Sequence, residues 1–490
     1  MKKAIFNIII AAGLLGTATS CNRDFLDTEL QSTVNDDQLG TSSSGLQGLV
    51  DGVYTKLRSY AQANAAGHED FGHKAVLSGM DLMSNDVYMH QFHWFGFHYD
   101  YRGRQQTSSR TKWAWNTYYP IIKVTNSVIN KIDVTTGTDS FKHTLGQALA
   151  IRGLSYFMLA RIFGPTYVGN QDKLCVPIYL ESTREGRARN KVSEVYEQIV
   201  SDLETAVSLL DGYTRPNKEK IDKSVAQAIL AQVYLEMGRY SEAATMANNA
   251  RQNYSILTEA QYKQGFYDLT TVPDAMWGAI INSENTTFVA SFFSHFDSTN
   301  GDGYAPYAYK SIDRRLYEAI PSTDYRKSLF VAPGTAKTDE IRPGIQKGDI
   351  TDYANVKFVD PTIREGDYIY QRAAEMHYIE AEALARSGNE AQARQVLYEI
   401  TSTRDTGYTL STNSGQALID EIILQKRIEL WGEGVAWFDM KRLGIGLDRA
   451  YTGTNHPSFG RLVRAAGHKD FLFQIPQAEI DTNPNIVQND

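Results

Sequence analysis

The chain has 490 residues and a formal charge of −8, with 57 acidic and 49 basic residues. A nucleic-acid-binding protein needs a basic face, so this acidic balance argues against that class. Hydrophobic residues make up 42% of the chain, and its length is ample for a well-buried core in one large domain or two ordinary ones.

Residues 1–20 are predicted to be a lipoprotein signal peptide rather than part of the fold. Lys2 and Lys3 form a basic start, and the apolar run AIFNIIIAAGLLGTA that follows is too short for a lasting transmembrane span. The run ends in TATSC, with small residues just before Cys21, and this resembles a bacterial lipobox. Cys21 is therefore the predicted lipid-attachment site, and an ordinary secretion signal with a chance cysteine is the alternative.

The cysteine content agrees with an anchored protein. Cys21 and Cys175 are the two cysteines, so a lipid on Cys21 would leave no pair to form a disulfide. No later segment reaches about 18 uninterrupted apolar residues, the length needed to span a membrane. The sequence predicts a body that is soluble apart from its N-terminal anchor.

Helical periodicity dominates the first half of the chain. Residues 21–45 are polar and rich in turn-forming residues, which predicts a lipidated tether. From LQGLVDGVYTKLRSY (46–60) onward, apolar residues recur every three to four positions, the spacing that places them on one helical face. Residues 46–254 are therefore predicted to be an N-terminal helical part.

A tetratricopeptide-like unit is predicted at LAQVYLEMGRYSEAATMANNA (230–250). Small residues at Ala231 and Ala243 would let two antiparallel helices approach closely, and Gly238 would end the first helix. A second copy is present at AEALARSGNEAQARQVL (381–397), with small residues in the matching places. The predicted fold class is mainly α, with tetratricopeptide-like helical repeats.

Residues 255–365 have a different composition. They are rich in Gly, Thr, Asn, Pro and Tyr, with short strand-like pieces at TTFVASFF (286–293) and ANVKFVD (354–360). A loop-rich insertion of this length in a helical scaffold is usually functional, so it is predicted to contribute to a ligand face. Helical patterning returns in residues 366–490, the predicted C-terminal helical part.

The stretch YMHQFHWFGFHYDY (88–101) has seven aromatic residues and three histidines among its fourteen positions. Its partial alternation predicts a two-sided strand or extended loop with one packed and one presented face. The alternation breaks between Trp94 and Phe95, which indicates that not all of the rings can be buried on the same side. Rings beside Arg and amide side chains suit sugars, because the apolar face of a pyranose lies on a ring while its hydroxyls pair at the edge. Core packing is the alternative for any single ring.

A second group of rings lies in the insertion, at GDGYAPYAYKS. Glycine and proline around its tyrosines predict a loop. The predicted ligand-binding residues from both groups are Asn85, Asp86, Trp94, Phe97, Tyr99, Tyr101, Arg102, Tyr304 and Tyr307.

No metal site or cofactor is predicted. His90, His93 and His98 have spacings of three and five with no cysteine, which match no closed zinc pattern. DSTNGDG (297–303) resembles a calcium loop, but no glutamate occupies the twelfth position.

A catalytic reading of the C-terminal glutamates is also disfavoured. Glu429 and Glu433 are four apart and would share a helical face, as paired catalytic carboxylates might. Arg427, Lys441 and Arg442 are close enough in sequence to neutralise them. We interpret the motif as scaffold, and no catalytic residues are predicted.

Six segments carry motifs in order along the chain, one of them IRGLSYFMLARIFG (151–164). The other five are CNRDFLDTE (21–29), LSGMDLMSNDVYM (77–89), RAAEMHYIEAEALARSG (372–388), QKRIELWGEGVAWFDMKRLG (425–444) and FLFQIPQAEIDTNPNIVQND (471–490). Together they resemble the SusD/RagB family, the starch-utilisation-type outer-membrane lipoproteins of Bacteroidetes.

The resemblance specifies the role of the protein more closely than it specifies the ligand. It implies a helical protein with tetratricopeptide-like pairs that binds glycans at the cell surface and caps a SusC-type TonB-dependent transporter. It implies a lipid anchor in the outer membrane, no catalytic machinery, and a ligand face where inserted loops meet the segment after the first helix. A peptide- or glycopeptide-binding lipoprotein in the same role is the first alternative, and a surface glycoside hydrolase is the second.

Overall fold

The computed structural model describes residues 42–61, 67–133, 135, 137–335, 350–362 and 364–489. Residues 47–490 make up one compact unit, and a second unit, residues 1–46, lies outside the described residues except for 42–46. The predicted signal peptide, Cys21 and most of the tether therefore lie outside the described part of the chain. All contacts reported below lie within residues 47–490.

Helices account for most of the regular structure, as the apolar periodicity predicted, and the mainly α fold class is confirmed. The helices are α1 Ser43–Arg58, α2 His73–Asp81, α3 Gly96–Tyr99, α4 Ser109–Ile129, α5 Asp139–Phe163, α6 Val192–Leu209, α7 Lys223–Met237, α8 Tyr240–Arg251, α9 Glu259–Tyr262, α10 Phe292–Phe296, α11 Arg314–Ala319, α12 Ala373–Arg386, α13 Glu390–Thr401, α14 Gly415–Glu429, α15 Ala436–Arg442 and α16 Gln477–Thr482.

The strands are short and pair two by two, antiparallel. They are β1 Val87–Met89, β2 Ala275–Ala279, β3 Lys310–Ile312, β4 Tyr368–Arg372, β5 Leu447–Asp448 and β6 Val463–Arg464. Strand β1 pairs with β3, β2 with β4, and β5 with β6. The first pair joins the segment after α2 to the inserted region.

Helices α7 and α8 form the first predicted repeat. Asp222 caps α7 by accepting a hydrogen bond from the Val225 amide at 3.0 Å. Gly238 ends α7 with a φ of +74°, a left-handed conformation that glycine adopts without steric cost. Ala231 and Ala243 have no exposed surface, as predicted for a close contact between the two helices.

The second repeat, α12 and α13, has the same construction. Gly388 has a φ of +86° between the two helices, and Ala381 and Ala393 have no exposed surface. Helix α12 also packs against α8, so the two repeats stack. Stacking buries the apolar faces that a single repeat would leave in water.

Ala231→Leu is expected to destabilise the protein by about 1–3 kcal/mol, because the added methylenes overpack a close helix contact. The midpoint of urea unfolding measures the change. Ala417→Leu, at an exposed position on α14, is the matched control and should leave the midpoint unchanged. Equal midpoints for both variants and the wild type would contradict the repeat assignment.

The strand-like pieces predicted in the insertion are wrong in both places. The last two residues of 286–293 begin helix α10, which Ser291 caps by accepting a hydrogen bond from the Ser294 amide. The phenylalanines of α10 are buried, so a helical turn rather than a strand packs them. Residues 354–360 form isolated bridges and no strand.

A cluster of buried charges holds the C-terminal part together. The Glu429 carboxylate has no exposed surface and accepts hydrogen bonds from Arg326 at 3.1 Å, Arg372 at 3.3 Å and Arg404 at 3.0 Å. Burial alone would raise the pKa of Glu429, but these three guanidinium groups hold it well below its usual range. Losing one partner of such a buried cluster would leave an uncompensated charge, and the pairing leaves no free carboxylate.

Glu433 completes the cluster. It accepts hydrogen bonds from Arg372 at 2.7 Å and Lys357 at 2.6 Å. Burial alone would raise the pKa of Glu433, but these two cations lower it to about 2. The scaffold interpretation agrees with these contacts, but the neutralising partners that the sequence suggested are wrong. Those partners bond elsewhere: Arg427 to Asp86, Arg442 to Glu382, and Lys441 to the Arg161 and Gly164 carbonyl oxygens.

Candidate functional site

The two ring-rich segments lie side by side because β1 and β3 pair. Met89 lies opposite Lys310 in the register. The His90 amide then donates a hydrogen bond to the Tyr309 carbonyl oxygen at 3.1 Å. The first ring-rich stretch therefore leaves the sheet beside the tyrosine loop of the insertion (304–309).

Five rings form one network, which we call the ring surface: His68, His93, Trp94, Tyr304 and Tyr307. The centroid of the Trp94 ring lies 5.4 Å from that of His68 and 6.0 Å from that of Tyr304. The His93 ring lies 5.2 Å from Tyr304 and stacks on Tyr307 at 6.2 Å with an angle of 20° between the planes. The structure thus brings three of the predicted residues together.

Access to the ring surface is uneven. Tyr307 leaves 62% of its surface exposed, whereas Trp94, His93 and Tyr304 are half-buried. A short 3₁₀ turn, Ala305–Tyr307, positions Tyr304 and Tyr307, and the proline within the turn restricts its backbone. Tyr307 is therefore the outermost ring, and the others form the wall beside it.

Hydrogen bonds beneath the rings hold them in place. The Tyr304 hydroxyl bonds to His68 Nδ1 at 2.5 Å, and His295 Nε2 lies 2.9 Å from the His68 carbonyl oxygen. A carbonyl oxygen can only accept, so His295 carries its proton on Nε2. Its Nδ1 is buried and has no hydrogen-bond partner among the described residues.

Phe97 and Arg102 form a separate cluster. The half-buried Phe97 ring packs edge-to-face on Phe92 at 5.2 Å, and the guanidinium groups of Arg102 and Arg110 lie 4.8 and 4.5 Å from its centroid. Arg102 is exposed and pairs with Asp100 at 2.6 Å. Because cations already cover the Phe97 ring, it offers a ligand less free face than Tyr307 does.

Tyr99 and Tyr101 are buried, which corrects the expectation that they face a ligand. Tyr99 has no exposed surface, stacks on His456 at a centroid distance of 5.8 Å and hydrogen-bonds to its Nδ1. The Tyr101 hydroxyl donates to the Met83 carbonyl oxygen at 2.5 Å. The helical turn α3 interrupts the extended loop that the alternation predicted, and it directs Tyr99 inward.

Asn85 and Asp86 serve as ties within the protein, contrary to their predicted role as ligand contacts. The buried Asp86 carboxylate pairs with Arg427 at 2.5 Å. The Asn85 amide donates to the Gly446 carbonyl oxygen and accepts from the Asp448 amide, both at 2.9 Å. Their polar atoms connect the segment after α2 to the C-terminal part, so the protein itself uses the hydrogen bonds that a sugar would need.

The sequence reasoning missed His68 and His93 as members of the ring surface. Their signal was the concentration of five of the ten histidines between residues 68 and 98, which we tested against zinc patterns alone. Imidazoles also act as flat rings, and that is the role their packing indicates here. Among the described residues, no group of three metal-ligating side chains occurs.

Comparison with known proteins finds two matching family models. One, described as starch-binding and associating with the outer membrane, matches residues 24–235. The other, described as the SusD family, matches residues 337–490, so that the two together span about three quarters of the chain. The chain belongs to the SusD/RagB family.

Relatives and solved structures of SusD-like proteins agree with this assignment. The SusD-like protein P2 of Formosa agariphila is 26% identical over 76% of this chain and 79% of its own. The structure of a SusD-like carbohydrate-binding protein from Bacteroides vulgatus is 26% identical, covers 91% of this chain and 97% of that one, and has a TM-score of 0.78. A SusD superfamily structure from Bacteroides thetaiotaomicron, 22% identical, shares the fold with a TM-score of 0.74 over 92% of this chain and 100% of that one.

SusD-family proteins are described as binding proteins that associate with the outer membrane. In the part of this SusD-family chain that the structure describes, no helix combines the length and apolar character needed to cross a membrane.

Proposed function

We propose that this SusD-family protein is a cell-surface lipoprotein that binds oligosaccharides at the ring surface and delivers them to a SusC-type TonB-dependent transporter. The observation that carries the proposal is the meeting of rings from two distant segments, with Tyr307 62% exposed. The starch-binding description of the family and the carbohydrate-binding relative from B. vulgatus support it. Cys21 is the proposed lipid-attachment site on the extracellular side of the outer membrane.

The expected affinity is modest. Stacking one sugar on one ring buries on the order of 100 Å² of apolar surface, which at about 25 cal/mol per Å² contributes roughly 2.5 kcal/mol. Two or three such stacks, less several kcal/mol for lost freedom, leave dissociation constants of about millimolar to micromolar. Weak capture suits a protein that must release its cargo to a transporter.

The acidic residues fit a binding protein better than they fit an enzyme. Glu429 and Glu433, the paired carboxylates of the sequence, are held in buried ion pairs. A glycosidase instead needs two carboxylates facing each other across the sugar, about 5 to 9.5 Å apart. We therefore propose a binding protein rather than an enzyme.

Tyr307→Ala tests the proposal. Removing the outermost ring is expected to weaken glycan binding by about 2 kcal/mol, roughly thirtyfold, because one stacking face is lost. Isothermal titration calorimetry against the best ligand from a glycan array measures the change. The melting temperature should stay close to the wild-type value, because the ring is mostly in water.

Tyr240→Ala, on helix α8 outside the ring surface, is the matched control and should leave affinity unchanged. Trp94→Ala should weaken binding as Tyr307→Ala does, with a larger effect on melting because that ring is half-buried. Full affinity in both ring variants would overturn the assignment of this surface as the glycan site.

A further inference from the structure

A buried ammonium group lies beneath the ring surface. Lys310 has no exposed surface, and its Nζ donates to the carbonyl oxygen of Ala308, the residue after Tyr307, at 2.9 Å. Among the described carboxylates, Glu69 affects Lys310 most, but its oxygens already accept hydrogen bonds from Arg110 at 2.8 and 3.0 Å. The ammonium is therefore buried without a counter-charge of its own, which is costly in free energy.

Imidazoles surround the same loop. The rings of His68, His93 and His295 pack around Tyr304 with centroid distances of 5.6, 5.2 and 5.2 Å. Acidic groups on the neighbouring segments include Glu69, which Arg110 neutralises, and the exposed Asp302 on the loop before Tyr304. The buried Asp297, two residues after His295, accepts hydrogen bonds from Thr299. In a chain whose net charge is −8, this local surplus of basic groups is a deviation that suits an anionic partner.

We propose that the ring surface takes an acidic glycan, whose carboxylate or sulfate groups are complemented by Lys310 and the imidazoles around Tyr304. The inference rests on the proposed function and names its substrate class. The rings bind the apolar faces of the sugars, and the basic groups beneath favour negative charge above them.

Proton linkage makes the inference measurable. Burial lowers the pKa of Lys310 to about 7, and burial together with the Lys310 ammonium lowers the pKa of His93 and His295. Near neutral pH Lys310 is partly unprotonated and the imidazoles of His93 and His295 are largely neutral, and an anion bound above them favours the protonated forms. Binding of an acidic glycan should therefore take up protons, and its affinity should fall as the pH rises from 6 to 8. A neutral glycan has no such coupling.

The experiment compares neutral oligosaccharides with the same oligosaccharides oxidised at C6 to uronates, and with their sulfate esters. Calorimetry in two buffers of different ionisation enthalpy gives affinity and proton uptake together. We expect at least one acidic form to bind roughly tenfold more tightly than its neutral parent at pH 6.5. The uronate and sulfate arms show which anion is preferred.

Lys310→Met should abolish most of the proton uptake and reduce the preference for the acidic form to below about threefold. Its melting temperature should not fall, because the change removes a buried charge. Lys173→Met, at an exposed position between α5 and α6, is the matched control and should behave as the wild type does.

The wild-type comparison decides the inference independently of any variant. Equal or tighter binding of the neutral parents, without proton uptake, would overturn the acidic-glycan inference and leave the proposed function intact. Unchanged preference and uptake in Lys310→Met would overturn the role of Lys310. No binding of any glycan at any pH would overturn both the inference and the proposed function.

Discussion

Replacing Glu429 with glutamine is expected to destabilise the protein by about 3–5 kcal/mol. The carboxylate has no exposed surface and is the shared counter-ion of Arg326, Arg372 and Arg404. Arg326 and Arg372 keep Asp324 and Asp274 as partners, but among the described residues Arg404 pairs with no other carboxylate. Removing the Glu429 charge therefore leaves a buried guanidinium group without compensation, which costs more than the pairing itself contributes. The midpoint of urea unfolding at neutral pH measures the loss.

Lowering the pH should likewise destabilise the wild-type protein. Groups whose pKa is lower in the folded state add stability above the unfolded value and lose it as the pH falls through the folded value. For Glu433 this window runs from 4.5 down to about 2, and the pKa of Glu429 is likewise lowered in the folded state. Stability should therefore decline as the pH falls from 4.5, with a smaller decline in Glu429→Gln.

The control for Glu429→Gln is Glu197→Gln, at an exposed position on helix α6. This variant should unfold at the wild-type urea concentration, because an exposed carboxylate contributes little. A wild-type midpoint for Glu429→Gln would show that the buried cluster does not hold the fold.

Truncating Tyr99 to alanine is expected to cost about 3–5 kcal/mol of stability, the cost of emptying a packed aromatic site. Its ring stacks on His456, and the Arg449 guanidinium lies 4.4 Å from its centroid. Tyr99→Phe keeps the ring and should cost only about 0.5–1.5 kcal/mol, the loss of one hydrogen bond. Thermal melting of both variants gives the comparison.

Tyr307→Ala is the counterpart, because it removes a ring of the same kind from the surface. We expect Tyr99→Ala to lower the melting temperature and Tyr307→Ala to lower glycan affinity, each with little effect on the other property. A Tyr99→Ala protein that melts like the wild type but binds glycan weakly would place this ring in the ligand surface.

The helical scaffold could be predicted because its signals are local. Ala231, Gly238 and Ala243 act within one helix pair, and their spacing reports the turn and the close contact directly. The prediction of strands at 286–293 and 354–360 was wrong because short apolar runs fit a strand or a helical turn equally well. At 286–293, capping by Ser291 favours the helical turn.

The sequence alone determined the family resemblance, the helical class and the two segments that supply rings. Only the tertiary structure decided which rings face water, because burial depends on partners far away in the chain. Tyr99 is covered by His456 and Arg449, whereas Tyr307 reaches beyond the His93 ring into solvent. Ion pairing follows the same rule, since a buried charge takes whichever counter-charge the fold brings within a few ångströms, irrespective of distance along the chain.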